Sequence, residues 1–415
     1  MSEVRILSPR YNLLREQNMS GYPIITLKEG KETNLVYRHP WIFSGALAAV
    51  DRDIPHGSLV WVADIKGNIL ATGTYSAHTT IAVRIFEFSK VEINRQWLRR
   101  KLSAASERRA AIGYGPGTAT TGYRLVFGES DALPGIVIDR YDEILALQLS
   151  TAGADLLKNQ IVDVLLELFQ PRAIVERSDI PVRAEEKLSD AKGILSGESP
   201  ELVEFKENGL DFLADVMNGQ KTGFYLDQKE LRAETARVSA GRKTLNLFSY
   251  SGASGIAALK GGAVSVMNVD SSEQALALSE RIRKLNNISA DIYNFKMADI
   301  FNWLAAQSKP EYDLVLLDPP ALIKSRNDRE SGQKAYHFIN RAALRLVNDG
   351  GIFVSSSCSS FFSEDDLAFT LRRASVQANL SLELLQVVRQ SPDHPVSFYF
   401  PESMYLKSFI CRVRR

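Results

Sequence analysis

The strict alternation of strand and helix periods after Asp211 constrains this chain more than any other feature. Short apolar runs at Lys243 to Leu247, Val264 to Val269, Ala290 to Phe295, Tyr312 to Leu317 and Gly351 to Ser356 are separated by stretches of helical spacing. That order implies βαβ crossovers and a mainly parallel sheet whose strands are covered on both faces. Two further runs, Leu382 to Arg389 and Leu406 to Val413, are joined without room for a crossover helix, so they are expected to pair antiparallel. The expected class is α/β, a Rossmann-like doubly wound sheet ending in an antiparallel pair.

At 415 residues the chain exceeds what one core serves, so further domains are expected. Residues 1–20 are polar and without period and read as a flexible extension. Residues 21–90 carry short strands punctuated by turn residues such as Lys66-Gly67-Asn68, the pattern of a small β-barrel. Residues 91–210 read as a connecting helix followed by a central α+β unit. Its strands are expected near Tyr123 to Phe127, Gly135 to Asp139, Glu143 to Leu149 and Ala173 to Glu176, with one long helix from Ala154 to Phe169. Residues 211–415 hold the doubly wound domain.

A formal charge of +1 argues against wholesale binding of a polyanion. Charge is nevertheless concentrated between Val91 and Ile112, where six basic residues face two acidic ones. A solvated helix face and a phosphate-contacting patch are equally good readings of it, and Arg99, Arg100 and Lys101 are the candidate contacts. No apolar run is long enough for a membrane helix, and the start lacks a signal peptide's apolar core, so a cytoplasmic location is expected. Two cysteines, Cys358 and Cys411, exclude a disulfide framework and a four-ligand zinc site; no metal is expected.

Several residues are expected at the carboxyl ends of the parallel strands, where open α/β sheets bind ligands. After the first strand, Phe248-Ser249-Tyr250-Ser251-Gly252 leads to Gly255, and small residues there let backbone approach a ligand. The spacing is not the G-x-G-x-x-G of a dinucleotide site. Asp270 ends the second strand, where a carboxylate can accept ribose hydroxyls; Ser271 and Gln274 read as a capping box, so Asp270 could instead assist the helix start. Asp299 follows the third strand as an acceptor for an adenine amine or as a plain cap. Asp318-Pro319-Pro320-Ala321 ends the fourth, and two prolines leave carbonyls free to face a substrate.

Cys358 ends the next strand, on the same edge as Asp318. Carbon 5 of a pyrimidine is too weak a nucleophile to take a methyl group, and thiolate addition at carbon 6 activates it. Asp318 near ring nitrogen 3 would complement the developing charge. A small buried hydrophobe is the competing reading of Cys358. Cys411 reads as core, and His394 as a residue that orders its loop.

These motifs, with N-G-Q-K-T-G-F-Y-L-D-Q-K at 218–229, resemble the bacterial 23S ribosomal RNA cytosine-5 methyltransferases that carry an N-terminal PUA domain. The resemblance extends to H-P-W-I-F-S-G at 39–45, F-G-E-S-D-A-L-P-G-I-V-I-D-R-Y at 127–141, D-H-P-V at 393–396 and F-P-E-S-M-Y-L-K at 400–407. It implies a class I methyltransferase domain that uses S-adenosylmethionine, and an RNA-binding role for residues 21–88, with Trp41 among the contacts. It also implies that Lys221, Phe224, Tyr225 and Asp227 close over the cofactor. The helix after Asn218-Gly219 is expected to carry Asp227, Gln228 and Arg232 on its exposed side. Two-cysteine members have a second cysteine after the proline motif where this chain has Ala321, which leaves the product-releasing base unassigned.

The expected partner is 23S ribosomal RNA, with a second copy of the chain as another partner weighed. Methylation of an exocyclic amine of guanine or adenine is the first alternative. An RNA-binding ribosome assembly factor with a vestigial cofactor pocket is the second, and an NAD-dependent oxidoreductase a distant third.

Overall fold

The computed structural model describes residues 21–48, 50–51 and 53–415, so the expectation for residues 1–20 lies outside it. Two compact units form. One holds the described residues through Val203, Ala214–Phe224 and Asp393–Ser403; the other holds Glu204–Leu213, Tyr225–Pro392 and Met404–Arg415.

In the first unit, β1 (Ile24–Thr26), β2 (Trp41–Phe43), β3 (Leu59–Ala63), β4 (Ile69–Tyr75) and β5 (Ile81–Glu87) form one sheet in the order β1-β3-β4-β5-β2. The β3–β4 hairpin turns as its residues dictate: Asp64 Oδ1 accepts from the backbone N–H groups of Lys66 and Asn68 at 2.8 and 2.9 Å. A second sheet contains β6 (Gly122–Phe127), β7 (Ile136–Tyr141), β8 (Ile144–Leu149), β9 (Ala173–Ser178) and β10 (Ala191–Gly197), in the order β10-β9-β8-β7-β6. The single helix expected from Ala154 to Phe169 is two, Ala152–Leu156 and Lys158–Phe169. No glycine or proline marks the break; it falls at Leu157, which is fully buried, so packing places it.

Most of a hairpin, β11 (Val203–Glu207) and β12 (Leu210–Ala214), lies in the second unit. It was not anticipated, although Asn208-Gly209, both at positive φ (+51° and +77°), is the signal for a tight turn. The main sheet contains β13 (Lys243–Leu247), β14 (Ser265–Asp270), β15 (Tyr293–Met297), β16 (Tyr312–Leu317), β17 (Val347–Ser357), β18 (Ser381–Arg389) and β19 (Lys407–Arg414). Their order is β15-β14-β13-β16-β17-β19-β18, parallel from β15 to β17, with β19 antiparallel to both β17 and β18. The third strand starts later than expected, because Ala290–Ile292 forms a 3-10 turn ahead of Tyr293.

Alternation within β16 shows why its residues from Leu314 to Leu317 are all apolar. Val315 and Leu317 pack with Leu245, Leu247 and Phe353 on one face, whereas Leu314 and Leu316 pack with Ile352, Val354 and Ile410 on the other. Both faces are core, so no polar position survives in the strand's middle.

Candidate active site

Strand order reverses between β13 and β16, which opens a crevice at their carboxyl ends. Leu247 stands opposite Val269 on one side and Leu317 on the other, and Leu317 stands opposite Ser355. Asp270, Phe248, Asp318 and the segment leading to Cys358 therefore leave the sheet along one edge, in the order of neighbouring strands.

The loop after β13 is bent by three residues at positive φ: Phe248 (58°), Tyr250 (45°) and Gly252 (70°). For Phe248 and Tyr250 this costs about 1–2 kcal/mol each, and such conformations persist only where surrounding bonds impose them. Here Ser249 N donates to Val269 O at 3.1 Å, Tyr250 N to Asp270 Oδ2 at 2.8 Å and Gly252 N to Ser249 O at 2.8 Å. Asp270 Oδ1 also accepts from Ser272 N at 2.9 Å, so this carboxylate shapes two loops.

Three expectations are corrected. The helix Glu273–Leu285 is capped by Ser272, whose hydroxyl accepts from Ala275 N at 3.2 Å, and not by Ser271 with Gln274: Ser272 is the last residue with extended backbone, and Ser271 stands one position too early. The space beside the glycines belongs to the protein itself. A Cβ on Gly252 would lie 2.0 Å from both Ser279 Oγ and Tyr293 OH, and one on Gly255 2.7 Å from Asn268 Oδ1. Asp227, Gln228 and Arg232 are buried rather than exposed. Arg232 makes a twofold ion pair with Glu207 (2.5 and 2.6 Å), Asp227 accepts from Tyr405 OH at 2.6 Å, and Gln228 Nε2 donates to Asp318 Oδ2 at 2.6 Å. Side chains from distant segments remove these polar groups from water.

Around Asp318 and the half-buried Cys358 the structure assembles further groups, some implied by the resemblance and one that sequence reasoning left out. Tyr225 packs edge-on against Tyr250, ring centroids 5.4 Å apart. Burial raises its phenol well above the usual tyrosine range, and Asp318, Tyr250, Asp227 and Cys358 raise it further, so it faces all four. Lys407, buried on β19, is the group that was missed; a lysine inside the run L-K-S-F-I-C was the available signal.

The remaining candidates are more scattered. Asp299 is exposed and caps the helix Ile300–Ala306 through Asn302 N at 2.9 Å, next to the end of β15. Pro319 is buried beside Asp318. Lys221 and Phe224 belong to the first unit, Lys221 exposed at φ +53° and Phe224 buried. On the basic helix Arg95–Ala111, Arg99 pairs with Glu167 at 3.0 Å and Lys101 with Glu87 at 2.8 Å; Arg100 is exposed with no carboxylate partner among the described residues. Trp41 Nε1 donates to Glu129 at 2.9 Å, and its ring lies edge-on to Phe400 at 4.8 Å. Cys411 is core, its thiol pushed up by burial to about 12. His394 is buried against Asp393 at 3.0 Å, which orders its loop. Among the described residues no group could hold a metal ion, and no helix is long and apolar enough to cross a membrane.

Comparison with known proteins agrees with this architecture. Residues 178–397 match the model of the S-adenosylmethionine-dependent methyltransferase family, and residues 25–88 that of a PUA-like domain. The ribosomal RNA large subunit methyltransferase I of Serratia proteamaculans is 38% identical over 391 residues, 93% of this chain and 98% of that protein. Its counterpart from Klebsiella pneumoniae is 36% identical over 95% of this chain and 99% of that one. In fold, the chain is similar to a protein from Streptococcus mutans assigned as a SAM-dependent methyltransferase, with a TM-score of 0.79 at 21% identity over 94% of this chain and 100% of that one. A methyltransferase solved with S-adenosylhomocysteine gives 0.80 at 21% identity, with 94% and 100% covered. The chain is a member of the S-adenosylmethionine-dependent methyltransferase family, in the branch that holds the ribosomal RNA large subunit methyltransferase I proteins.

Proposed function

We propose that this enzyme methylates carbon 5 of a cytosine in 23S ribosomal RNA through a covalent adduct with Cys358. The observation that carries this reading is the placement of Asp318 and Cys358 at the ends of adjacent parallel strands, β16 and β17. The relatives' common name, ribosomal RNA large subunit methyltransferase I, supports the substrate class.

The residues at the crevice fit the cofactor. Ser249 Oγ is buried with no hydrogen-bond partner among the described residues, which suits a ligand that supplies one. Each oxygen of Asp270 accepts one backbone bond and keeps capacity for a ribose hydroxyl. Phe248, Ser249, Tyr250, Gly252, Asp270 and Ser271 would hold the nucleoside, with Asp299 toward the adenine and Asp318-Pro319 toward the methionine end. Lys221, Phe224 and Asp227 complete the set by family resemblance. S-adenosylmethionine, when bound, supplies an electrophilic methyl group.

Cys358 adds as thiolate to carbon 6, which drives an electron pair toward carbon 5. Asp318, oriented by Gln228, would act in its acid form, its O–H donating to ring nitrogen 3, where negative charge develops. A base within a duplex must first be unstacked. We assign residues 21–90 and 91–210 to holding the RNA backbone, so affinity should fall as salt rises. Of the proposed contacts, Arg100 offers the charge least neutralised by the protein, whereas Arg99 and Lys101 share theirs with carboxylates and the neutral Trp41 donates its indole N–H to Glu129.

Bisulfite mapping of rRNA from cells that carry the wild-type protein or Cys358→Ala tests the reading. One cytosine should lose its mark with the variant. An amine methylated equally in both would replace this reading with N-methylation, and failure to bind S-adenosylmethionine saturably would leave an assembly factor.

A further inference from the structure

Strand β19 carries a lysine among apolar and small neighbours. Lys407 stands opposite Ser357 in the antiparallel register with β17 and is 5% exposed. Its Nζ donates to Ser359 O at 2.6 Å and to Tyr405 O at 3.2 Å. The side chain thus starts beside residue 357 and ends beside residue 359, so its length spans Cys358.

A buried ammonium is expensive, and a methionine would fill the same space without a charge. The groups facing it explain what the charge serves. Cys358 acts on Lys407 from the end of β17, and Glu364 and Asp366 act from the first turn of the helix Glu364–Gln377. Both carboxylates have cations of their own, Arg389 at 2.7 Å and Arg329 at 3.1 Å. Cys358 in turn faces the phenols of Tyr225 and Tyr336, which burial keeps neutral at physiological pH. Burial lowers Lys407 to about 8, which still leaves the ammonium as its major form at pH 7.

We propose that Lys407 is the positioning residue that holds Cys358 as a thiolate, a role that rests on the cytosine reading above. Its ammonium supplies the counter-charge, the S–H bond breaks with its proton released to solvent, and sulfur keeps the electron pair that later forms the bond to carbon 6. Lys407 forms no covalent bond.

Iodoacetamide tests this on the full chain without RNA. Alkylation forms an S–C bond and releases iodide, and with Cys411 3% exposed in the core the reaction near neutral pH reports Cys358. Intact mass against time, across pH, should place the wild-type midpoint below the ~8.5 of a free thiol. Lys407→Met should raise the midpoint by a unit or more, slowing alkylation at pH 7 about tenfold, and Lys407→Arg should restore most of it. A wild-type midpoint at or above the free-thiol range overturns the proposal even if Lys407→Met does not fold. So does a folded Lys407→Met protein with an unchanged midpoint. A low midpoint in an enzyme that leaves no mark on cytosine would keep the Lys407 role and remove the cytosine reading instead.

Discussion

Gln228 donates a 2.6 Å hydrogen bond to Asp318 Oδ2, tying the turn before the helix Lys229–Arg237 to the acid at the end of β16. The donor leaves one carboxylate oxygen committed and fixes which way the other faces. A bond to a charged group contributes about 1.5–3 kcal/mol, and here it is spent on orientation. Gln228→Ala should therefore lower kcat about tenfold or more with KM little changed. Steady-state methylation of an rRNA fragment checks this, and an unchanged kcat would remove Gln228 from the site.

Gly252→Ala should damage both fold and binding. The added carbon meets Ser279 Oγ and Tyr293 OH at 2.0 Å on a backbone at φ +70°. Overpacking and left-handed strain together are expected to cost about 2–4 kcal/mol. Thermal melts should show the loss, and calorimetry should show weaker uptake of S-adenosylmethionine, because the loop carrying Ser249 and Tyr250 must move.

Arg232 and Glu207 are 3% and 2% exposed and pair twice. Arg232→Met strands the glutamate's charge in the interior, at about 3–5 kcal/mol. Arg232→Met with Glu207→Leu removes both charges and should recover much of that loss. Urea denaturation of the three proteins decides it; a double variant no better than the single would show that packing, not charge, dominates.

Stability should depend on pH through Lys407. Burial depresses its folded-state value to about 8 from an ordinary 10.5, so between those values the unfolded chain holds a proton that the folded chain lacks. Stability from this group therefore rises with pH across that window and is least below it. Relative to Lys407→Met, the wild-type protein should gain up to about 3 kcal/mol between pH 7 and the top of the window. Denaturation of both proteins at several pH values measures the difference, and a flat difference would contradict it.

Much of the site could be read along the chain. Tyr312–Leu317 and Lys243–Leu247 have the bounds their apolar runs suggested, because a strand covered on both faces is dominated by apolar residues on each of them. Asp270, Asp318 and Cys358 were legible for the same reason: each is the first chemically distinctive residue after such a run. The misreading of Ser271 for Ser272 was a matter of one residue, which periodicity does not resolve.

What local sequence determined, then, is the α/β order, the edge at which loops gather and the three side chains at the strand ends. Tertiary structure alone decided the partners of the buried polar groups: Gln228 on Asp318, Tyr405 on Asp227, Glu207 on Arg232 and the Ser359 carbonyl on Lys407. The physical reason is that hydrophobic period reports which face of an element is buried. The partner of a buried polar group, by contrast, is set by where distant segments cross, and that depends on the packing of the whole sheet.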